Sequence, residues 1–394
     1  MTNRPRVAIL VESSRGYGRG LLQGIANYLR VHGPWSVFFE ERDLSDPPPV
    51  WLAGWKGQGV IARVETRALA KAISDLGCPA IDLHGLLPDL GMPLIDTDDR
   101  AVTRLAIEHL LERGFRHLAY CGFVGTNYSD RRCGYFIERV EEMRLTPLIY
   151  QPPARVRLAG TARQEQQGWM HEADVARWLS ALPRPVGLMA CNDIRGQQVL
   201  NTCREAGIAV PDEVAVIGVD NDEILCDLAS PPLSSVAPNT RRIGYEAAEL
   251  LARLMTGEPA PTEPIFIEPV GVVTRQSTDV LAVGDRDVAA AVRYIREHAC
   301  DGIMVEDVLA VVPVSRSILE RRFTQILGHS PKEEMSRVRI RKIKQLLAET
   351  DLPLAQIAIR TGFQHPEYMS VMFKTKTGET PGEYRTATRQ QTLS

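Results

Sequence analysis

The stretch RVAILVESSRGYGRGLLQGIANYLR, residues 6–30, joins a short apolar run to an amphipathic segment through a turn rich in glycine and serine. The apolar run, residues 6–12, predicts a buried strand, because short uninterrupted apolar runs are typical of sheets covered on both faces. The segment over 19–30 repeats its apolar residues at helical spacing and predicts a helix. The stretch therefore predicts a strand–turn–helix unit.

Apolar runs and amphipathic segments keep alternating through most of the chain. Strands are predicted over 57–64, 78–85, 117–123, 186–193 and 213–222, and helices over 65–77, 103–114 and 196–207. Continuous apolar strands that alternate with helices predict a parallel sheet covered by helices on both faces. Such sheets bind ligands at the carboxyl ends of their strands. The fold class predicted for this region is α/β.

Beyond residue 287 only helical periodicity remains, and it contains a repeat. LERRFTQILGHSPKE begins at Leu319, and MSVMFKTKTGETPGE aligns with it from Met369. The identities in register are Phe323 with Phe373, Gly328 with Gly378, Pro331 with Pro381, and Glu333 with Glu383. A short apolar helix and a turn precede each copy, which predicts two helix-turn-helix units joined by one long helix over 331–350.

These patterns predict an organisation in four segments. They are an α/β domain over 1–275, a linker over 276–286, an all-α domain over 287–386 and a C-terminal tail over 387–394. The chain has 44% hydrophobic and 24% charged residues, as globular proteins do, and a net charge of −3. The part from Asp285 onward has a slight excess of Lys and Arg, whereas the rest is acidic. This asymmetry weakly indicates a nucleic-acid module attached to another domain.

The second helix of each predicted helix-turn-helix is the one that would lie in the DNA major groove. Leu319 with Phe323, and Met369 with Phe373, are expected to face inward. The outward candidates for base contacts are Arg316, Ser317, Glu320 and Arg321 in the first copy, and Gln364, His365, Glu367, Tyr368 and Ser370 in the second. Arginine can bond guanine bidentately and glutamate can accept from cytosine, so this set can read bases.

The paired units, with LAQIAIRTGF (354–363) and FKTKTGETPGEYR (373–385), resemble the DNA-binding domain of the arabinose-operon activator (AraC/XylS) family. The resemblance implies that both recognition helices enter successive major grooves of double-stranded operator DNA. It places at base-contacting positions Ser317, Glu320 and Arg321, then Pro366, Glu367, Tyr368, Ser370 and Val371. The alternative is a helical docking domain with a solvated charged face.

Three dispersed stretches of the body, residues 96–122, 189–221 and 233–255, resemble the effector domain of the lactose-repressor family. The resemblance implies the periplasmic-binding-protein fold: two α/β lobes with parallel sheets, three crossovers, and a sugar between the lobes. The crossovers are expected near residues 117, 236 and 265. In that family the DNA-binding domain comes first, whereas here it follows the sensor.

The same resemblance implies a set of sugar-binding residues. Tyr17 falls at a ring-stacking position, Arg131 at that of a ligand-clamping arginine, and Asn192 and Asp220 at those of hydroxyl binders. The full candidate set is Tyr17, Arg19, His84, Arg131, Asn192, Asp193 and Asp220. Aromatic faces that stack on a sugar ring and charged groups that bond its hydroxyls are what a polyol site requires.

Several of these positions have a structural alternative. Asp193 could cap a helix instead of binding ligand, His84 could simply be exposed, and Arg131 could form a solvated pair with Arg132. Asp98 and Asp99 are expected to cap the helix that starts near Ala101. The family has a pocket glutamine where this chain has Pro238, so that hydrogen bond is lost, moves to Asn239 or is made by water.

The glycine turn within residues 11–22 does not fit a nucleotide loop. Its spacing is G-x-G-x-G instead of G-x-G-x-x-G, and Tyr17 between Gly16 and Gly18 would obstruct a phosphate. A tyrosine there suits a sugar face, with Arg19 as a candidate hydroxyl contact. The turn is therefore interpreted as the lip of a sugar site.

No nucleophile motif, Walker lysine or metal-ligand cluster is present, so we expect no enzyme activity, no metal and no cofactor. Seven cysteines without C-x-x-C spacing, no signal peptide and no membrane span predict a cytoplasmic protein. The combined resemblance implies a sugar-responsive transcription regulator. It is expected to be a homodimer that activates through RNA polymerase, with D-xylose as effector. The alternatives are L-arabinose or a hexose, or a body that only mediates assembly.

Overall fold

The computed structural model describes residues 4–152, 165, 172–279, 285–350 and 352–386. The chain divides into two compact units, Met1–Val280 and Leu281–Ser394. The tail predicted over 387–394 lies outside the described residues. Among the described helices, none is long and apolar enough to cross a membrane.

The first unit begins with an N-terminal lobe built on a four-stranded parallel sheet of order β2-β1-β3-β4. Its strands are β1 (Arg6–Leu10), β2 (Ser36–Phe39), β3 (Gly59–Ala62) and β4 (Ala80–Asp82). Its helices are α1 (Gly16–His32), α2 (Arg67–Ser74) and, from later in the chain, α8 (Thr240–Met255), with a 3-10 helix at Val50–Gly54. The strand–turn–helix unit predicted over 6–30 is thus present as β1 and α1.

Strand β1 is buried on both faces, as its uninterrupted apolar sequence predicts. Val7 and Ile9 pack with Ile25 of α1 in one cluster, whereas Ala8 and Leu10 belong to a second cluster on the opposite face. Each fully buried aliphatic side chain of this kind contributes roughly 1.5–3 kcal/mol through the hydrophobic effect. This double burial makes the carboxyl end of β1 a rigid support for the turn that follows.

The C-terminal lobe of the first unit contains a six-stranded sheet of order β12-β10-β9-β8-β6-β7. Only β12 runs antiparallel to its neighbour. Its strands are β6 (His117–Cys121), β7 (Pro147–Ile149), β8 (Val186–Ala190), β9 (Val214–Val219), β10 (Ser234–Ala237) and β12 (Gly271–Val273). Its helices are α3 (Asp99–Glu112), α4 (Asn127–Glu142), α5 (Glu172–Ala181), α6 (Asp193–Glu205) and α7 (Glu223–Leu228).

The chain crosses between the lobes three times. A two-stranded parallel ribbon, β5 (Ile95–Thr97) with β11 (Ile265–Ile267), lies at two of the crossings. The third crossing lies between β10 and α8. The crossing expected near residue 117 is wrong, because α3 already packs against α4 and the strands of the C-terminal lobe, so the chain crosses before it. An amphipathic helix does not reveal by sequence which of two sheets it covers.

The second unit is all-helical in its described part. Its helices are α9 (Arg286–His298), α10 (Val305–Leu309), α11 (Arg316–Leu327), α12 (Pro331–Glu349), α13 (Leu354–Arg360) and α14 (Pro366–Thr377), with a 3-10 helix at Ala299–Asp301. The long joining helix is present as α12. Two helix-turn-helix units, α10–α11 and α13–α14, each have a separate apolar cluster.

The repeat is also present in the geometry. Helices α11 and α14 have 12 residues each, and both end at a glycine in the left-handed region, Gly328 with φ 74° and Gly378 with φ 86°. A residue with a side chain is disfavoured there, which explains the repeated glycine. The predicted inward residues are buried in both copies, with Phe323 and Phe373 fully inaccessible.

Candidate ligand cavity and nucleic-acid interface

A cavity of about 560 Å³ lies in the first unit at the carboxyl ends of the strands. Both lobes line it. All seven predicted ligand residues are among the lining side chains: Tyr17, Arg19, His84, Arg131, Asn192, Asp193 and Asp220. The structure thus brings together residues that are far apart in the sequence, and their role in binding stays a prediction.

Tyr17 stands at the start of α1, in the glycine turn that follows β1. Its hydroxyl forms a hydrogen bond of 2.9 Å with the Thr97 hydroxyl. The Arg63 guanidinium lies over its ring, 4.8 Å from the centroid, in cation–π geometry. Burial, together with the charge of Asp96, raises the pKa of Tyr17 well above its usual range. The ring is therefore neutral and held in place, with one face already covered by arginine.

Two adjacent arginines of α4 are held by the carboxylates of β5 and α3. Arg131 donates to Asp99 and to Asp96, both at 2.7 Å. Arg132 is buried and donates to the other oxygen of Asp99 at 2.7 Å and to the Cys191 carbonyl. The alternative of a solvated arginine pair is wrong, because Arg132 is buried and Arg131, with 29% of its side chain exposed, is bonded to two carboxylates. Burial and the nearby charge of Asp99 raise the pKa of Asp96.

Of the two residues that follow Cys191 after β8, Asn192 caps a helix and Asp193 holds a neighbouring loop. Asn192 caps α6, its side-chain oxygen accepting from the Arg195 N–H at 2.9 Å, while its amide donates to Glu165 at 2.9 Å. The alternative in which Asp193 is the cap is therefore wrong. Asp193 accepts instead from the Ser235 hydroxyl at 2.6 Å and from the Asp222 N–H at 2.8 Å. These contacts fix the loop that follows β9.

Asp220 follows β9 with a positive φ of 111°. Its burial raises the pKa of the carboxyl to about 7, against the opposing charge of Arg132. Within the described part of the chain no hydrogen bond reaches its carboxyl oxygens, although they line the cavity. An unpaired carboxyl in a polar cavity is chemically suited to accept from a ligand hydroxyl.

His84 and Arg19 both have protein partners. The buried His84 lies with Nε2 2.7 Å from Glu65 and Nδ1 3.0 Å from an Arg63 nitrogen. Arginine can only donate, so Nδ1 accepts and Nε2 donates. The alternative that His84 is simply exposed is wrong. Arg19 donates to the Ser13 carbonyl at 3.1 Å and lies 3.5 Å from Asp222.

Sequence reasoning missed several residues of the cavity. They are Arg15, Arg63, Tyr128, Glu165 and Asp222. Arg15 pairs with Glu165, and the Gly16 N–H donates to Asp222 at 3.0 Å across the lobes. Arg63 and Asp222 follow strands, so strand ends were the available signal. The pairings themselves join distant parts of the chain and have no local pattern.

The two capping predictions near the crossings have different outcomes. Asp98 caps α3, as predicted, by accepting from the Ala101 N–H at 2.9 Å. Asp99 does not cap it, because both of its oxygens bond the arginines of α4. Asn239 caps α8 and is not among the residues lining the cavity, so it does not take over the lost glutamine hydrogen bond.

In the first helix-turn-helix, the predicted residues lie along the outer face of α11. Ser317 and Arg321 are exposed, and Arg321 has no ion-pair partner among the described residues. Arg316 is different, because it pairs with Glu306 at 2.7 Å and with Glu320 at 3.0 Å. Arg321 is therefore the outward arginine of α11 that is free to meet DNA.

In the second copy the predicted residues surround the start of α14. Gln364 and His365 precede the helix, and Glu367 and Tyr368 are exposed in its first turn. Ser370 is half-buried and donates to the Pro366 carbonyl at 2.8 Å, so its hydroxyl is already engaged. Tyr368 has 68% and Val371 64% of its surface exposed, so apolar groups lie beside the exposed Glu367 on this helix.

Three family models match the chain. They are an XylR N-terminal domain over residues 6–89, a periplasmic binding protein-like domain over 107–278 and a helix-turn-helix domain over 309–387. The xylose operon regulatory protein of Escherichia coli strain K12 is 33% identical over 98% of this chain and 97% of its own length. This chain belongs to the family of the xylose operon regulatory proteins.

Other members agree with this membership. The xylose operon regulatory protein of Haemophilus influenzae is 30% identical over 96% of this chain and 98% of its own length. A solved structure of the xylose-binding transcription activator XylR superposes with a TM-score of 0.75, at 32% identity, over 98% of this chain and 99% of that one. These matches confirm the predicted fold, a two-lobed sensor with an all-helical tail. They also confirm the prediction of a DNA-binding transcription regulator instead of an enzyme.

Proposed function

We propose that this protein binds D-xylose in the cavity of its first unit and, in response, changes the affinity of its helix-turn-helix units for operator DNA. The observation that carries the proposal is the cavity itself. It lies in a sensor that shares one chain with two helix-turn-helix units, and it is lined by the Asp220 carboxyl, which has no hydrogen-bond donor among the described residues. The names of the relatives support xylose as the effector.

The charges of the cavity favour a neutral sugar. Its arginines are Arg15, Arg19, Arg63, Arg131 and Arg132, and its carboxyl residues are Asp96, Asp99, Glu165, Asp193, Asp220 and Asp222. Each of these arginines has a carboxylate partner, which for Arg63 is Glu12 behind the cavity wall, so the arginines are charge-compensated towards a phosphate or a sugar acid. Neutral hydroxyl groups can instead bridge such pairs, because each hydroxyl donates one hydrogen bond and accepts others.

The contacts support a proposed role for each of these residues. Asp220 accepts from a sugar hydroxyl, Arg131 bonds another, and Tyr17 stacks on the ring. Asn192, whose amide nitrogen donates to Tyr128 and Glu165, positions these two neighbours at the sugar. Asp193 and His84 position their neighbours, and Arg19 closes the mouth with Asp222. On DNA, Arg321 is proposed to bond guanine, with Ser317, Glu320 and Arg316 beside it. The second helix reads mainly through Glu367, Tyr368 and Val371, with Gln364, His365 and Ser370 at its edge.

The regulator is proposed to act as a homodimer that activates transcription by contacting RNA polymerase. A dimer would place two copies of the tail on repeated half-sites, which is the usual way in which such units gain affinity. Because the proposed target is operator DNA, which in bacteria lies in the cytoplasm, a cytoplasmic location is part of the proposal.

The test is a calorimetric titration of the full chain with D-xylose, L-arabinose, D-ribose and D-glucose. D-xylose should bind most tightly, since D-glucose adds a hydroxymethyl group that must be accommodated. At a concentration of 100 times its dissociation constant it should stabilise the first unit by about 2.7 kcal/mol. Tighter binding of L-arabinose or a hexose would replace xylose as effector, and no binding of any sugar would favour the assembly-only alternative.

A further inference from the structure

Arg275 joins the cavity loop to the last described segment of the first unit. It follows β12, and only 14% of its side chain is exposed. One guanidinium nitrogen donates to the Asn221 side-chain oxygen at 2.9 Å and to the Leu233 carbonyl at 3.2 Å. Its Nε donates to Asp227 at 2.7 Å. One side chain therefore ties together the loop after β9, the start of β10 and α7.

The backbone around Arg275 is fixed to the same lobe. Its N–H donates to the Ser234 hydroxyl at 2.7 Å, and that hydroxyl in turn bonds the Arg275 carbonyl at 2.9 Å. Three residues later, the buried Thr278 hydroxyl bonds His109 at 2.7 Å. Along the chain, this segment leads from the sensor to the DNA-binding unit. Hydrogen bonds to β10 and to α3 thus hold residues 275–278 against this lobe.

Asn221 lies between two residues that line the cavity, Asp220 and Asp222. Asp220 and Asn221 both have a positive φ, 111° and 47°, although neither is glycine. Such a backbone persists only where surrounding contacts hold it, and here the Ser235 hydroxyl accepts from the Asn221 N–H at 3.0 Å. The loop is a strained element whose conformation depends on its partners.

We propose that Arg275 is a positioning residue that couples sugar binding at Asp220 to the segment leading into the DNA-binding unit. A sugar hydroxyl on Asp220 favours one conformation of the loop. The Asn221 side chain moves with that loop, and Arg275 is bonded to it. A change in the conformation of the loop after β9 therefore alters the hydrogen bond between Asn221 and Arg275, and Arg275 is where the segment towards the DNA-binding unit begins. The proposal rests on the proposed function, since it assumes that sugar binding and DNA binding are coupled.

The quantity to measure is the coupling ratio, the dissociation constant of a DNA duplex without sugar divided by that with saturating D-xylose. The duplex is obtained by selection of random DNA on the full chain in the presence of D-xylose. By linkage, the same ratio must appear in the D-xylose dissociation constants measured without and with the duplex. A residue that only stabilises the fold would not change this ratio in a chain that still saturates with both ligands.

Two variants remove the hydrogen bond between Arg275 and Asn221, and two serve as matched controls. Arg275→Met removes the guanidinium at similar length, and Asn221→Gly removes the side chain while tolerating the positive φ. Asn221→Asp keeps an acceptor and the tolerance for that backbone. Asp227→Asn weakens the contact of Arg275 with an aspartate that is 66% exposed, and it leaves Asn221 in place. The glycine variant also covers the case in which Arg275→Met does not fold.

Arg275→Met and Asn221→Gly should bring the coupling ratio to within about twofold of one, from a parental value on the order of 5–150. Asn221→Asp and Asp227→Asn should retain most of it. Parental ratios in Arg275→Met and Asn221→Gly would overturn the proposal, as would an equal loss in Asp227→Asn. A ratio of one in the parental chain itself would instead refute the proposed function.

Discussion

The cavity of the first unit and the outer face of the recognition helices both contain arginines. Those of the cavity are paired with carboxylates, whereas one on the recognition helix is exposed and unpaired among the described residues. In the cavity, Arg131 and Arg132 are bonded to Asp96 and Asp99. On α11, Arg321 extends into solvent. The cavity side chains are thus held in place by one another, and such pre-organisation lowers the entropic cost of binding a small polar molecule. The helix instead leaves its cation for the DNA to neutralise.

The same contrast exists between the two helix-turn-helix copies. Their interiors are equivalent, since Leu319 and Phe323 are buried where Met369 and Phe373 are buried in the second copy. Their surfaces differ, because the position of Arg321 in the repeat is occupied by Val371. The repeated residues therefore maintain the fold, and the residues that diverged determine what each helix can read.

The largest expected effect comes from breaking the buried pairs of the cavity. Asp99→Ala leaves the buried Arg132 guanidinium without its carboxylate, and leaves the partly exposed Arg131 with Asp96 alone. It should destabilise the first unit by about 3–5 kcal/mol. Denaturant unfolding of the full chain measures this. Asp75→Ala is the control, because its pair with Lys71 is exposed and should contribute about 0.3–0.5 kcal/mol. Equal effects of the two substitutions would show that the buried pair stabilises the protein no more than the exposed one.

The second effect is a pH dependence of stability due to Asp220. Its pKa is about 7 in the folded protein, against about 4 in an unfolded chain, so the folded state holds an extra proton between these values. The stability contributed by that proton is complete below pH 4 and falls as the pH rises to about 7, by at most about 1.4 kcal/mol per pH unit.

Asp220→Asn should reduce the fall in stability between about pH 4 and pH 7. The measurement is the unfolding free energy of the first unit from about pH 4.5 to 8, which spans most of the titration of the carboxyl. Some slope of the same sign should remain, because burial also raises the pKa of Asp96 and of Asp193. An unchanged slope in the variant would show that Asp220 does not cause this pH dependence of stability.

A smaller effect concerns Arg321 on DNA. Arg321→Ala should weaken binding by about 1–3 kcal/mol and relax the preference at one base pair. Binding to a library of duplexes that differ by single base pairs measures both quantities. Equal weakening on every duplex would make Arg321 a phosphate contact. The unfolding free energy should stay within about 0.5 kcal/mol of the parental value, since the residue is exposed.

The smallest effect is expected at the equivalent position of the second copy. Val371→Ala removes two methyl groups that could meet only thymine methyls, so the loss should be less than about 1 kcal/mol and confined to A·T pairs. The same duplex library measures it. A loss larger than that of Arg321→Ala would reverse the proposed ranking of the two helices.

Much of this architecture could be predicted from local patterns. The strand and helix of residues 6–30, the repeat around Phe323 and Phe373, and the cavity positions of Tyr17 and Asp220 all follow from periodicity, spacing or family likeness. Strand ends meet at one edge of a parallel sheet, and this rule brings distant residues together without knowledge of the pairing.

What could not be predicted depends on contacts between distant segments. Asp99 looks like a helix cap in sequence, and only the position of α4 shows that it bonds two arginines instead. His84 could be exposed as far as the sequence shows, and only the structure reveals its bonds to Glu65 and Arg63. Arg275 has no motif at all, and its side-chain partners lie 42 to 54 residues away in the chain.

The most direct test of the account is the affinity of the full chain for its selected duplex, measured by fluorescence anisotropy with and without saturating D-xylose. We expect the sugar to tighten binding by a factor on the order of 5–150, which corresponds to a coupling of about 1–3 kcal/mol. An unchanged affinity, in a sample that calorimetry shows to be saturated with the sugar, would contradict it.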